Sequence, residues 1–128
     1  MQKYKPTESE LEILQILWSE GDCNVKQIND ILNQKREVGY TTTLKTMQIM
    51  FDKGLLSREK DKRTHIYKAE LQKEDTENMM ISKLMNSVFE GSAVKLVMRA
   101  LGSQKTSTEE LEKIKSLINE IEKENNNQ

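Results

Sequence analysis

Apolar residues recur at helical spacing through the first fifty positions of this chain, give way to short strand-like runs, and return to helical spacing over the second half. Leu11, Ile13, Leu14, Leu17 and Trp18 form a broad stripe that follows a Thr7/Glu10 capping-box pair and stops at Gly21, which predicts a helix over roughly 8–20. Asn24 with Gln27 repeats the capping signal, and Val25, Ile28, Ile31 and Leu32 carry a second helix to about Gln34. Residues 35–39 are then the turn, and Cys23 is a small buried apolar residue just ahead of the second helix.

A third helix starts at Tyr40-Thr41-Thr42 and ends at Gly54. Thr43, Met47 and Met50, flanked by Leu44 and Phe51, share one stripe and face the first two helices, while Thr41, Thr42, Lys45, Gln48 and Ile49 face outward. After Gly54 the runs Leu55–Lys60 and Thr64–Ala69, separated by Asp61-Lys62-Arg63, predict a hairpin with a basic tip, anchored to its core by Tyr67. A helix with one polar face beside such a hairpin is the layout of a winged helix, whose third helix enters a major groove while the wing reaches the flanking backbone. Tyr40, Thr41, Thr42, Lys45, Gln48, Lys62 and Arg63 are the predicted DNA-facing residues.

From Lys73 onward the composition becomes that of an acidic, lysine-bearing helical tail with three apolar stripes. Met79, Met80, Leu84, Met85, Val88 and Phe89 precede Gly91; Val94, Leu96, Val97, Met98 and Leu101 precede Gly102; Leu111, Ile114, Leu117, Ile118 and Ile121 follow a third Ser107/Glu110 capping pair. Three short helices cannot bury these stripes alone, so the tail reads as a dimerisation module centred on Met85, Val88, Phe89, Val97, Leu101, Ile114, Leu117 and Ile118, with packing of the tail on the first domain of the same chain as the alternative. The expected organisation is a winged helix-turn-helix over 1–72, a helical dimerisation domain over 73–124 and a frayed end over 125–128, mainly α with a small β-hairpin wing.

Net charge changes this picture only when it is localised. The chain of 128 residues carries a net charge of −1 and a pI near 5.9, yet residues 35–68 hold nine basic against four acidic side chains. Phosphate binding needs a local positive surface of this kind rather than a basic average. One cysteine excludes an internal disulfide and a cysteine-cluster zinc site, and the lone histidine, His65, has no ligand set around it, so neither metal nor cofactor is expected. A single histidine and five scattered glycines supply neither a nucleophile triad nor a phosphate-cradling loop, which argues against an enzyme. With a polar N-terminus and no long apolar run, the expected location is the cytoplasm.

The order of these elements, with the opening Thr7-Glu8-x-Glu10 to Trp18, the Tyr40-Thr41-Thr42 helix start, Lys53-Gly54-Leu55-Leu56, a wing with Arg63 and Tyr67, and Lys95-Leu96-Val97-Met98 in the tail, resembles the penicillinase and methicillin-resistance repressors of the BlaI/MecI family. The resemblance runs from about Pro6 to Ile121. It implies a homodimeric repressor on palindromic operators, often with TACA/TGTA-type half-sites, released when a membrane-bound metalloprotease receptor that senses β-lactam triggers cleavage in the tail.

Three departures bear on what carries over. Arg99-Ala100 stands where the best-known members have an Asn-Phe scissile bond, so it is the candidate cleavage point but not the same specificity. The C-terminal cysteine cluster of copper-responsive relatives is missing, and Ile49 stands where many members have an arginine in the third helix. The competing reading is a winged-helix protein-interaction module that does not contact DNA, separable by salt-sensitive binding to duplex DNA.

Overall fold

The structure, a computed structural model, describes residues 5–61 and 63–127. Within them the chain forms α1 (Glu8–Glu20), α2 (Val25–Leu32), α3 (Tyr40–Asp52), β1 (Leu56–Asp61), β2 (Thr64–Ala69), α4 (Lys73–Val88), α5 (Ala93–Ser103) and α6 (Thr108–Asn126). This is the expected class, a winged helix-turn-helix followed by C-terminal helices. The chain divides into two compact units, one ending at Ile81 and the other beginning at Ser82, so the division falls inside α4.

Local chemistry sets the helix starts. Thr7 Oγ1 accepts from the Glu10 amide at 3.2 Å while Glu10 Oε1 accepts from the Thr7 amide at 2.9 Å. Asn24 and Gln27 make the same reciprocal pair, both bonds 2.8 Å, so two of the three predicted capping boxes are complete. At α6 Ser107 Oγ accepts from the Glu110 amide at 3.1 Å, which is half of the pattern. Helix α2 stops at Leu32, two residues short of the prediction, because Asn33 turns its side chain toward the following loop.

The first unit packs Ile13, Leu14 and Leu17 of α1 against Val25, Ile28 and Leu32 of α2, Met47 and Met50 of α3, and Leu55, Leu56 and Tyr67 of the hairpin. Leu55 is predicted to open the first strand, but it lies just ahead of β1, its amide bound to Met50 O at 2.9 Å and its carbonyl to the Glu70 amide at 2.9 Å. Gly54, at φ +83°, makes this reversal from helix to strand possible. The strands pair antiparallel from Leu56↔Ala69 to Asp61↔Thr64, which draws Asp61 out of the predicted tip and into β1. Cys23 extends the sheet by one bridge: its amide donates to Tyr67 O at 3.1 Å and its carbonyl accepts from the Tyr67 amide at 2.8 Å. Trp18 Nε1 donates to Leu71 O at 2.9 Å, and Thr76, buried in the first turn of α4, donates to Gln72 O at 2.8 Å. The start of α4 therefore belongs to this unit.

The second unit is built differently. After α4 the chain turns through Glu90 at φ +54° and Gly91 at φ +78°, the Gly91 amide donating to Met85 O at 2.9 Å, and Ser92 caps α5. Helix α5 continues through Gly102 to Ser103, one turn-breaking signal too weak to end it, and α6 continues through Asn125 and Asn126. Neither α5 nor α6 contains a buried residue. Among the described residues no helix is long and apolar enough to cross a membrane.

Candidate nucleic-acid interface

Helix α3 divides its surface as its sequence requires. Thr43, Met47 and Met50 are buried, Leu44 and Phe51 pack beside them, and Tyr40, Thr41, Thr42, Lys45, Gln48 and Ile49 are exposed. Thr42, Lys45 and Ile49 follow one another at three- and four-residue steps, forming a single outward ridge. Gly39 precedes the helix without a side-chain cap, so the positive end of the helix dipole is not masked by a side-chain oxygen of the cap residue.

Two asparagines that sequence reasoning did not single out hold this helix in place. Asn29 is buried in α2, and its Nδ2 donates to Thr43 Oγ1 at 2.8 Å and to Val38 O at 3.1 Å. Asn33 Nδ2 donates to Val38 O at 2.8 Å, and the Val38 amide donates back to Asn33 Oδ1 at 3.1 Å. The turn into α3 is thus pinned by both asparagines, and the bonds of the buried Asn29 satisfy an amide that would otherwise lack partners. A signal existed: Asn29 falls on the Val25, Ile28, Leu32 stripe, where a polar residue needs a partner.

Three of the cations counted in the sequence are engaged by groups of the chain itself. Lys53 Nζ meets Glu10 Oε2 at 2.8 Å, Arg36 meets Glu12 at 2.8 Å, and the Arg58 guanidinium lies 3.9 Å over the Phe51 ring while reaching the Tyr67 hydroxyl at 3.4 Å. Burial of Glu10, only 3 % exposed, raises its pKa, but the hydrogen bonds from Lys53 and from the Thr7 amide outweigh that and hold the carboxyl below its ordinary value. For half-buried Glu12 the Arg36 hydrogen bond leads and lowers the pKa. Lys45 on α3 and Lys60 and Arg63 of the hairpin are exposed, and Lys62 lies outside the described residues.

Tyr67 is buried and fixes the hairpin, with His65 edge-on to its ring at 6.3 Å. Burial, reinforced by Glu20 and Asp22, pushes the Cys23 thiol up, which keeps it protonated and unreactive.

In the second unit the predicted dimerisation residues are accessible on the single chain. Val88, Val97, Leu101, Leu117 and Ile118 are exposed and Met85, Phe89 and Ile114 half-buried. Val88, Phe89 and Met98 line a shallow groove of about 640 Å³ between the end of α4 and α5. Arg99 and Ala100 are exposed but lie inside α5, where Ser103 Oγ donates to Arg99 O.

Three helices with a two-stranded wing, the third helix turned polar side outward, define a winged helix-turn-helix regulator. The sequence profile of the penicillinase repressor family matches residues 6–120, and the chain belongs to that family. It is 21% identical to the methicillin resistance regulatory protein MecI of Mammaliicoccus sciuri over 116 residues, covering 91% of this chain and 94% of that protein. It is 20% identical, over the same shares, to MecI of Staphylococcus aureus strain N315, and 22% identical to the penicillinase repressor of Bacillus licheniformis over 89% of each chain.

Proposed function

We propose that this chain is a DNA-binding transcriptional repressor that acts in the cytoplasm as a homodimer on a palindromic operator. The observation that carries the reading is α3, which is pinned on its buried side by the Asn29–Thr43 bond and offers Tyr40, Thr41, Thr42, Lys45 and Gln48 on the other. Hydroxyl, amide and ammonium groups on one helix face match phosphates and base edges, and Arg63 on the wing supplies charge for the flanking backbone. The uncovered apolar residues of α4, α5 and α6 support a second copy as their partner, since one subunit leaves them in water.

Release by cleavage within the tail completes the proposal, with a membrane-bound sensor metalloprotease as the class of partner. Arg99-Ala100 is accessible but helical, so a protease has to open α5 before the bond can enter an active site. Cutting there separates the dimer contacts without touching a DNA-facing residue.

The test is a titration of duplex DNA containing the region upstream of this gene, at several salt concentrations. Two subunits with about four phosphate contacts each give a log–log slope near −7, at roughly −0.9 per contact. A slope near zero sinks the DNA-binding reading.

A further inference from the structure

Ile49 is 41% exposed, as is Tyr40 at 51%, and both lie on the outward surface of α3. Elsewhere in the unit ending at Ile81 the large apolar side chains that are exposed reduce, among the described residues, to Ile81 itself. The core of this unit takes its neighbours Met47 and Met50 completely, so the exposure of Ile49 follows from its phase on the helix and not from loose packing. The cation one turn further on, Lys53, is drawn back to Glu10. Around Ile49 on the exposed surface of the helix stand Lys45 one turn before it, Gln48 beside it and Asp52 one turn after it, all exposed.

We infer that Ile49 is a specificity-determining residue that packs against the 5-methyl group of a thymine in the major groove. This rests on the DNA-binding reading above and names what that face selects. The thymine methyl is the one apolar feature of a major-groove base edge, so a branched aliphatic side chain on a groove-facing ridge has that group as its natural complement. Lys45 and Ile49 are four residues apart, about 6 Å along the helix axis. At about 3.4 Å per base step, a helix lying along the groove sets their contacts roughly two base pairs apart. Lys45 donates to a guanine or phosphate acceptor at one end of that interval, and Ile49 excludes water from the methyl at the other.

The experiment uses the full chain and a duplex enriched by it from a random-sequence pool. That duplex is resynthesised with 2′-deoxyuridine replacing thymine at one symmetric pair of positions at a time, which removes only the methyl. Wild type is expected to lose about fourfold per half-site at one position, the worth of one buried methyl group, and less elsewhere. Ile49→Ala should bind the thymine duplex more weakly and lose nothing further on the deoxyuridine duplex, with Ile49→Val intermediate. Equal wild-type affinity for every deoxyuridine duplex overturns the inference while leaving DNA binding intact, as does an Ile49→Ala chain that keeps the wild-type ratio. Failure to enrich any duplex, with salt-independent binding, removes the DNA-binding reading and this inference with it. Circular dichroism of Ile49→Ala should match wild type, since an exposed side chain leaves the core untouched.

Discussion

The two units of this chain use similar apolar residue types to different ends. Up to Ile81, leucines, isoleucines and methionines from three helices and a hairpin close on one another, and the core cluster is buried almost completely. From Ser82 on, Val88, Val94, Val97, Met98, Leu101, Leu111, Leu117, Ile118 and Ile121 are all exposed. Both halves have well-marked helix starts and helical periodicity. The difference teaches that amphipathic helices define what needs burying, while the number of elements around them decides whether one chain can bury it.

The comparison breaks most visibly if the second unit is removed. A chain ending at Ile81, which keeps the buried Thr76 turn of α4, should stay folded and sediment as a monomer. Because linked half-sites gain from effective concentration, its apparent operator affinity should fall by about 10²- to 10⁴-fold. Analytical ultracentrifugation with operator titration checks this; a dimeric truncated chain would place the interface in the first unit.

Next in size is the contrast between equivalent truncations of side chains. Met47→Ala, in a fully buried site, should cost about 2–5 kcal/mol of stability by urea unfolding at a protein concentration where the chain is monomeric. Leu117→Ala, on the exposed face of α6, should leave that monomer stability within about 0.5 kcal/mol and weaken self-association instead. Comparable losses of monomer stability would mean that the second unit covers its own apolar face.

A smaller effect separates the two kinds of DNA contact. Thr42→Ala and Lys45→Ala should cost about 1–3 kcal/mol chiefly on the operator, whereas Arg63→Ala should weaken all duplexes alike and reduce the salt slope by about 1 per subunit. Equal losses on operator and unrelated DNA for all three variants would turn the wrong face of α3 toward the groove.

The smallest expected change concerns pH. Glu10 has a folded pKa lowered from 4.5, so its contribution is fully present above that value and is lost as pH falls through the lower folded pKa. Glu10→Gln should therefore flatten the acid limb of stability below about pH 4.5 and cost roughly 1 kcal/mol at neutral pH, since partly exposed Lys53 can return to water. Urea unfolding between pH 3 and 7 measures it; a mutant with an unchanged acid limb would remove Glu10 as its source.

Much of the fold is readable along the sequence. Thr7 with Glu10 and Asn24 with Gln27 mark helix starts because the bonds they make span three residues, and Thr43, Met47 and Met50 mark the inner side of α3 because helical phase is a local property. The outward residues of the candidate interface follow from the same phase. The short helix ends were less readable: Gly102 did not stop α5, and Asn33 ended α2 early through a side-chain bond to Val38.

What only the tertiary structure decided is which polar groups pair across the fold. Glu10 and Lys53 are 43 residues apart, Arg36 and Glu12 are 24, and Asn29 and Thr43 are 14, so no local pattern joins them. Packing of α1, α2 and α3 brings two of the basic residues counted near the interface, Arg36 and Lys53, into ion pairs and Arg58 onto the Phe51 ring, while Lys45 and Arg63 stand exposed on α3 and the wing. Capping and periodicity act over one or two turns and can be read along the chain. The partner of a buried donor or charge is fixed only when distant elements meet, because its desolvation cost arises only there.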